Sequence, residues 1–238
     1  QFLGGLGMYC LARRWTGSAL GGGIAGMAYA SNSVMFNCLM WPNTIAALGL
    51  FPWIVLAMER GWREGGRSLA LAVFLGGLQM LTGAAELIGL TWCFLAALAA
   101  GIGFRQPAEC IRLASRFGFA GFLVLALAAA QLLPFLELLR HSQRDLNYSD
   151  GAWALPASGW ANFLVPWFHC RQFLQGVPMQ AGQYWLSACH LGASGVLLAL
   201  LVLRGRMSGR ALLVATLGLD RFLMALGDNE PLYQLVKR

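Results

Sequence analysis

Residues 67–105 read RSLALAVFLGGLQMLTGAAELIGLTWCFLAALAAGIGFR, with Glu86 as the only charge between Arg67 and Arg105. As one helix the apolar stretch would be about 54 Å long, far more than a hydrocarbon core of about 30 Å accommodates. The stretch therefore divides at Gly83-Ala84-Ala85-Glu86 into two spans, 68–84 and 86–103, joined by a tight turn.

The same reading carried outward gives eight candidate spans: 1–12, 17–36, 43–58, 68–84, 86–103, 117–139, 184–203 and 211–227. Charge tests the division. Placing the segments 13–16, 59–67, 104–116 and 204–210 on the cytoplasmic side collects eleven of the 17 Lys and Arg residues there. Basic residues concentrate on the inner side of membrane proteins, and the alternation works only if the chain turns near Glu86. The outward segments are then 37–42, 84–86, the long loop 140–183 and the tail 228–238. The fold expected is all-α: a polytopic membrane helix bundle of about eight transmembrane helices with one long outer loop. Residues 1–238 form a single transmembrane domain in this reading, with 140–183 as its extracytoplasmic loop.

Composition agrees. The chain is 58% hydrophobic and 11% charged, with a mean hydropathy of +0.61; soluble domains carry about 25% charged residues. The net charge of +7 does not indicate nucleic acid, because the arginines sit in short loops where the inside-positive bias puts them. The chain starts at Gln1 within an apolar run, so a fragment of a longer protein is expected. Its six cysteines show no C-x-x-C spacing, and neither a disulfide framework nor a zinc site is legible. No cofactor is evident, and a divalent-metal requirement is left open.

Ionisable residues in or beside spans are functional candidates by default. Glu86, with Gln79 nearby in sequence, sits at the outer edge, where a carboxylate can act as a base or bind a cation or sugar hydroxyl; a helix-start acid favoured by the macrodipole is the plainer reading. The run Gln131-x-x-Pro134-x-x-Glu137-x-x-Arg140-His141-Ser142-Gln143-Arg144 is the second group. Proline in a late turn of the 117–139 span should kink it. Glu137 and Arg140, three apart, share a helix face and can pair. Arg140, His141 and Arg144 make a cationic cluster suited to phosphate, or an interfacial ion-pair network. Asp220-Arg221 reads best as an interhelical salt bridge. His169, Cys170 and His190 lack ligand spacing, and no metal site is proposed. The long loop carries Tyr148, Trp153, Trp160 and Trp167, with Trp185 just beyond it at the start of the next span, and 158–168 (SGWANFLVPWF) reads as a short amphipathic stretch at the membrane surface. Gly17-x-x-x-Gly21 and Gly22-x-x-x-Gly26 are small-residue pairs of the kind that let helices approach. No G-x-S-x-G, H-E-x-x-H or Walker A pattern is present, so a nucleophilic hydrolase or an ATPase has no support.

Several of these segments resemble the YfhO-like bacterial membrane proteins of the type C (GT-C) glycosyltransferase superfamily. The segment GLGMYCLARRWTGS (5–18) looks like the family's Gly-x-Tyr-x-Leu-x-Arg, and LGLFPWIVLAMER (48–60) like its Leu-x-Pro span ending in Glu-Arg. QLLPFLELLRHSQR (131–144) matches through Gln131, Pro134, Glu137, Ser142 and Arg144, and MALGDNEPLYQLV (224–236) resembles an Ala-Leu-Gly segment ending in Pro-Leu-Tyr. LQMLTGAAE (78–86) departs from the family's Gly-His-Pro-Gln: it keeps Gly83 but lacks the histidine, whose role is not carried over. The resemblance spreads over most of the chain, through motifs that are each weak alone.

It implies a membrane enzyme in the bacterial cytoplasmic (inner) membrane. Such an enzyme transfers a sugar from a polyprenyl-phosphate donor to a cell-envelope acceptor on the outer face. It also implies that the principal catalytic acid lies in an N-terminal outer loop outside these residues. Arg140, His141 and Arg144, with Glu137, would then hold the donor phosphate; Glu86 would support the acceptor; Tyr148, Trp153 and Trp160 would stack on sugar. The expected partners are membrane lipid, the lipid-linked donor and the envelope acceptor. A transporter or flippase for a lipid-linked or small substrate is the main alternative, and a non-catalytic scaffold the third.

Overall fold

The computed structural model describes residues 1–142, 159–165, 167–168, 170–174, 177–180, 190, 195–196, 200 and 208–225. The chain divides into two compact units, Gln1–Ser31 with Cys38–Ser142, and Asn32–Asn37 with Gln143–Arg238. The first unit is built from α1 (Phe2–Thr16), α2 (Ala19–Ala30), α4 (Pro42–Glu64), α5 (Gly66–Leu81), α6 (Ala85–Arg105), α7 (Cys110–Leu127) and α8 (Ala129–His141). Within it, α4, α6 and the continuous stretch Pro107–Leu127 are long and apolar enough to cross a membrane; α5 is apolar and shorter. The protein is thus a helical membrane protein with three candidate spanning helices among the described residues.

Helix α1 packs on α2 through glycine. A Cβ at Gly26 would lie 2.7 Å from the Gly5 carbonyl oxygen, and one at Gly22 would lie 2.9 Å from the Tyr9 carbonyl oxygen. The Gly22/Gly26 pair is therefore a backbone-to-backbone seam. The Gly17/Gly21 pair is not. Gly17 closes the left-handed end of α1, and the Gly21 amide is capped by Ser18 Oγ at the start of α2. On its other face α2 exposes Leu20, Ile24 and Met27, a stripe at helical spacing.

α2 stops at Ala30, short of the 17–36 span the hydropathy suggests. Local hydrogen bonds explain the stop: Ser31 Oγ bonds back to the Met27 carbonyl, and Asn32 Oδ1 accepts from the Met35 amide. Such side chains offer the backbone an alternative to continued helix.

α4 runs further than 43–58. Its helix continues through Glu59-Arg60-Gly61-Trp62-Arg63-Glu64 and ends at Gly65, φ 69°. The segment 59–67 is thus helix rather than loop, and α5 begins one residue later. Pro52 lies inside α4 and cannot donate to the Leu48 carbonyl; the Tyr29 hydroxyl donates to that carbonyl instead, at 2.7 Å. The proline is thereby tolerated in mid-helix.

The division between α5 and α6 falls at Thr82-Gly83-Ala84, with Gly83 at φ 74°. Gln79 stitches this hairpin to α4. Its Nε2 donates to Thr91 Oγ1 on α6 at 2.9 Å and to the Ala47 carbonyl on α4 at 3.1 Å.

The segment 117–139 is not one helix. α7 begins at Cys110 and ends at Leu127, and α8 restarts after Ala128. Pro134 therefore sits in the second turn of α8 rather than in a late turn of a single span. Its ring opposes the carbonyl four residues back, at Ala130, which makes this stretch a favourable place for the helix to interrupt.

In the second unit, α3 (Ser33–Asn37) is held by Ser33, whose amide and Oγ both donate to the His190 carbonyl. A 3-10 turn covers Gly159–Phe163, and β1 (Cys170–Leu174) pairs antiparallel with β2 (Val177–Gln180). This hairpin lies within 140–183, the segment expected as the long outer loop of a helical bundle. Within 158–168, the stretch expected to lie at the membrane surface, the described residues include that short turn and expose Leu164, Val165, Trp167 and Phe168. α9 (Gly209–Ala225) is capped by Ser208, whose Oγ accepts from the Ala211 amide.

Candidate functional site

The first unit has two polar ends. The basic end is built where α1, α4 and α7 meet. Glu59 projects from the buried face of α4, in helical register with Val55 and Trp62, and is 2% exposed. Trp15 Nε1 donates to Glu59 Oε2 at 2.9 Å, and Arg14 Nε lies 3.9 Å from the same oxygen. A carboxylate in that position is held by a charge-assisted hydrogen bond and a partly exposed cation. Nearby, Arg116 of α7 donates to the Trp62 carbonyl at 2.7 Å, placing a cation on the last turn of α4 where the macrodipole favours it. These bonds bring the first three arginine clusters of the sequence to one end of the unit.

The space beside Glu59 is small. A cavity of about 20 Å³ is lined by Glu59, Trp62, Gln106 and Glu109 among others, room for about one water molecule. No sugar or lipid headgroup fits there. Glu59, Trp15 and Arg14 therefore read as a helix-fastening node.

The opposite end holds the candidates for chemistry. Glu86 lies in the first turn of α6, behind the Ala84 cap, which makes no side-chain capping bond. A carboxylate there is favoured by the helix dipole, and it is exposed. The Gln131 amide comes to within 3.6 Å of where a Gly83 Cβ would stand. The two groups separated by some fifty residues in sequence thus share one end of the unit. From there α8 carries Glu137, Arg140 and His141, all exposed, with Arg140 and His141 in its last turn. Glu137 and Arg140 share a face but form no ion pair with each other, which corrects the pairing expected from their spacing; ion pairs form instead between Arg14 and Glu59 and between Arg112 and Glu109. In water, holding two long side chains in one geometry gains little, so the groups stay apart.

Of the other expected site residues, Arg144, Tyr148 and Trp153 lie outside the described residues, and Trp160 lies on the 3-10 turn of the second unit. His169 and the segment 184–189 also fall outside them. Asp220 is exposed on α9.

Sequence reasoning passed over Glu59 as part of an arginine-rich loop. The available signal was its spacing: continued at helical period, the apolar face of α4 runs Ile54, Val55, Met58 and Trp62, and Glu59 falls within it. Gln79 was singled out beside Glu86, and its burial is complete at 0%. Its amide nitrogen is used in the clamp, while Oε1 has no hydrogen-bond partner.

Comparisons with family models, with curated proteins and with solved structures each give no match to this chain.

Proposed function

We propose that the chain is part of a membrane glycosyltransferase. In this reading it has about eight spans in a bacterial cytoplasmic membrane and moves a sugar from a polyprenyl-phosphate donor to an envelope acceptor on the outer face. One observation supports this most: at the end of the first unit opposite its arginine-rich face, Gly83 beside the Glu86 turn is approached by Gln131 of α8, the helix that goes on to carry exposed Glu137, Arg140 and His141. A membrane-borne phosphate donor needs cations at the interface and a carboxylate near the acceptor hydroxyl.

In the proposed reaction the acceptor oxygen attacks the anomeric carbon, the bond from that carbon to the phosphate oxygen breaks, and the lipid phosphate leaves with the electron pair. Arg140, His141 and Arg144 stabilise the leaving phosphate, with Glu137 beside them. Glu86 receives the acceptor proton or orients the acceptor. Tyr148, Trp153 and Trp160 supply stacking surfaces for the sugar.

The test is transfer from a polyprenyl-phosphate sugar by protein in nanodiscs. Arg144→Ala should abolish transfer while the protein still inserts, and normal turnover in that variant would sink the assignment. A transporter or flippase would instead move the lipid-linked substrate across liposomes without altering it.

A further inference from the structure

A groove runs between α4 and α5 on the surface of the first unit. Buried Leu56 and Ala57 form its floor; Trp53, Leu71 and Leu75 form its apolar walls; Arg60 and Ser68 close one end. From Trp53 to Arg60 the groove follows α4 for about 10 Å, at about 1.5 Å per residue. Its apolar part lies within the two neighbouring apolar helices, and half the surface of Leu71 is open. Its polar end coincides with the arginine-rich face, next to exposed Arg63 and Arg67.

The charges at that end are uneven. Arg60 is exposed and makes no ion pair among the described residues. Glu64, the nearest acid one turn further along α4, accepts a hydrogen bond from Ser68 Oγ. The carboxylate is thus tied down by a neutral donor, and the guanidinium is left facing the groove mouth. Apolar walls ending in an uncommitted cation are complementary to a molecule with an alkyl chain and an anionic head.

We infer that this groove binds one anionic phospholipid of the inner leaflet, with an acyl chain against Trp53, Leu71 and Leu75 and its phosphate on Arg60. The site lies away from Glu86 and α8, and it does not depend on the glycosyltransferase reading. Arginine suits the role because its planar fork grips phosphate oxygens in pairs.

The experiment uses the full chain in nanodiscs and spin-labelled phosphatidylglycerol or phosphatidylcholine as probes. The immobilised fraction of each probe is read by electron paramagnetic resonance. Wild-type protein should favour phosphatidylglycerol about fivefold, the effect of one arginine near a membrane surface. Arg60→Gln should lose most of that preference. Arg105→Gln, an exposed cation of the same face outside the groove, should keep it. Leu71→Trp, at an exposed position, should fill the groove and release the immobilised lipid of both kinds.

Four results would each overturn the inference. They are no preference in the wild type, a preference that survives Arg60→Gln, an equal loss in Arg105→Gln, and an undiminished preference in Leu71→Trp. Displacement of the labelled lipid by soluble glycerol phosphate would also overturn it, by revealing a free-anion site rather than a lipid groove.

Discussion

The two ends of the first unit carry acids in opposite circumstances. Glu59 at the basic end is buried, bonded to Trp15 and approached by Arg14. Glu86 at the other end is exposed on the first turn of a helix. The same side-chain chemistry therefore serves two purposes. An enclosed carboxylate with bonded partners fixes how helices sit, because removing any partner strands the rest without water. An exposed carboxylate contributes little to folding and is free to meet a substrate. Accessibility, not residue type, separates the fastening end from the candidate reactive end.

The comparison is broken most directly at Glu59. Glu59→Ala should destabilise the protein by about 3 kcal/mol, since the Trp15 N–H and the nearby guanidinium lose their acceptor. Glu59→Gln should recover a substantial part by keeping an oxygen for Trp15. Thermal unfolding of the two variants in one detergent measures both effects. Equal stability of Glu59→Ala and wild type would mean that Glu59 fastens nothing.

The glycine seam comes next. Gly26→Ala would put a methyl 2.7 Å from the Gly5 carbonyl oxygen, so a loss of about 2 kcal/mol is expected from overpacking. Gly23→Ala is the control, because a Cβ there meets nothing within 4 Å. If the two variants unfold together, the α1–α2 contact is looser than described.

Gln79→Leu should cost about 1 kcal/mol. It removes two hydrogen bonds and strands the Ala47-facing and Thr91-facing acceptors, but it also removes an unpartnered buried oxygen. The smallest effect on stability belongs to the other end. Glu86→Ala and Arg140→Ala should stay within about 0.5 kcal/mol of wild type while lowering sugar transfer at least tenfold, if the proposed function is right. A large stability loss in either variant would erase the contrast between the ends.

The apolar helices were legible in sequence wherever the chain decides structure locally. Gly83 interrupts a stretch too long for a single crossing, and the helices indeed break at Thr82-Gly83-Ala84. The run 59–64 was less legible. Charged residues suggested a loop, yet Glu, Arg and Trp are acceptable helix formers, and the stop comes only at Gly65. The interruption at Ala128 was also hidden, since an apolar alanine run carries no breaker and Pro134 acts on the carbonyl four residues before it. At the candidate site the sequence supplied Glu86, Glu137, Arg140 and His141 as ionisable residues beside spans. It gave no sign that Gln131 would approach Gly83, because that closeness joins residues from separate helices.

By itself, then, the sequence determined that this is a helical membrane protein with a basic face. Hydropathy over about 20 residues and the placement of arginines are sums over neighbouring positions, and solvent transfer reads them without reference to the rest of the fold. Tertiary structure alone decided which polar residues became enclosed. Glu59 is buried because α1 lays Trp15 and Arg14 across it, and Gln79 because α4 and α6 close over its amide. Burial and hydrogen-bond partnership are properties of helices brought together, so they arise only when distant segments pack.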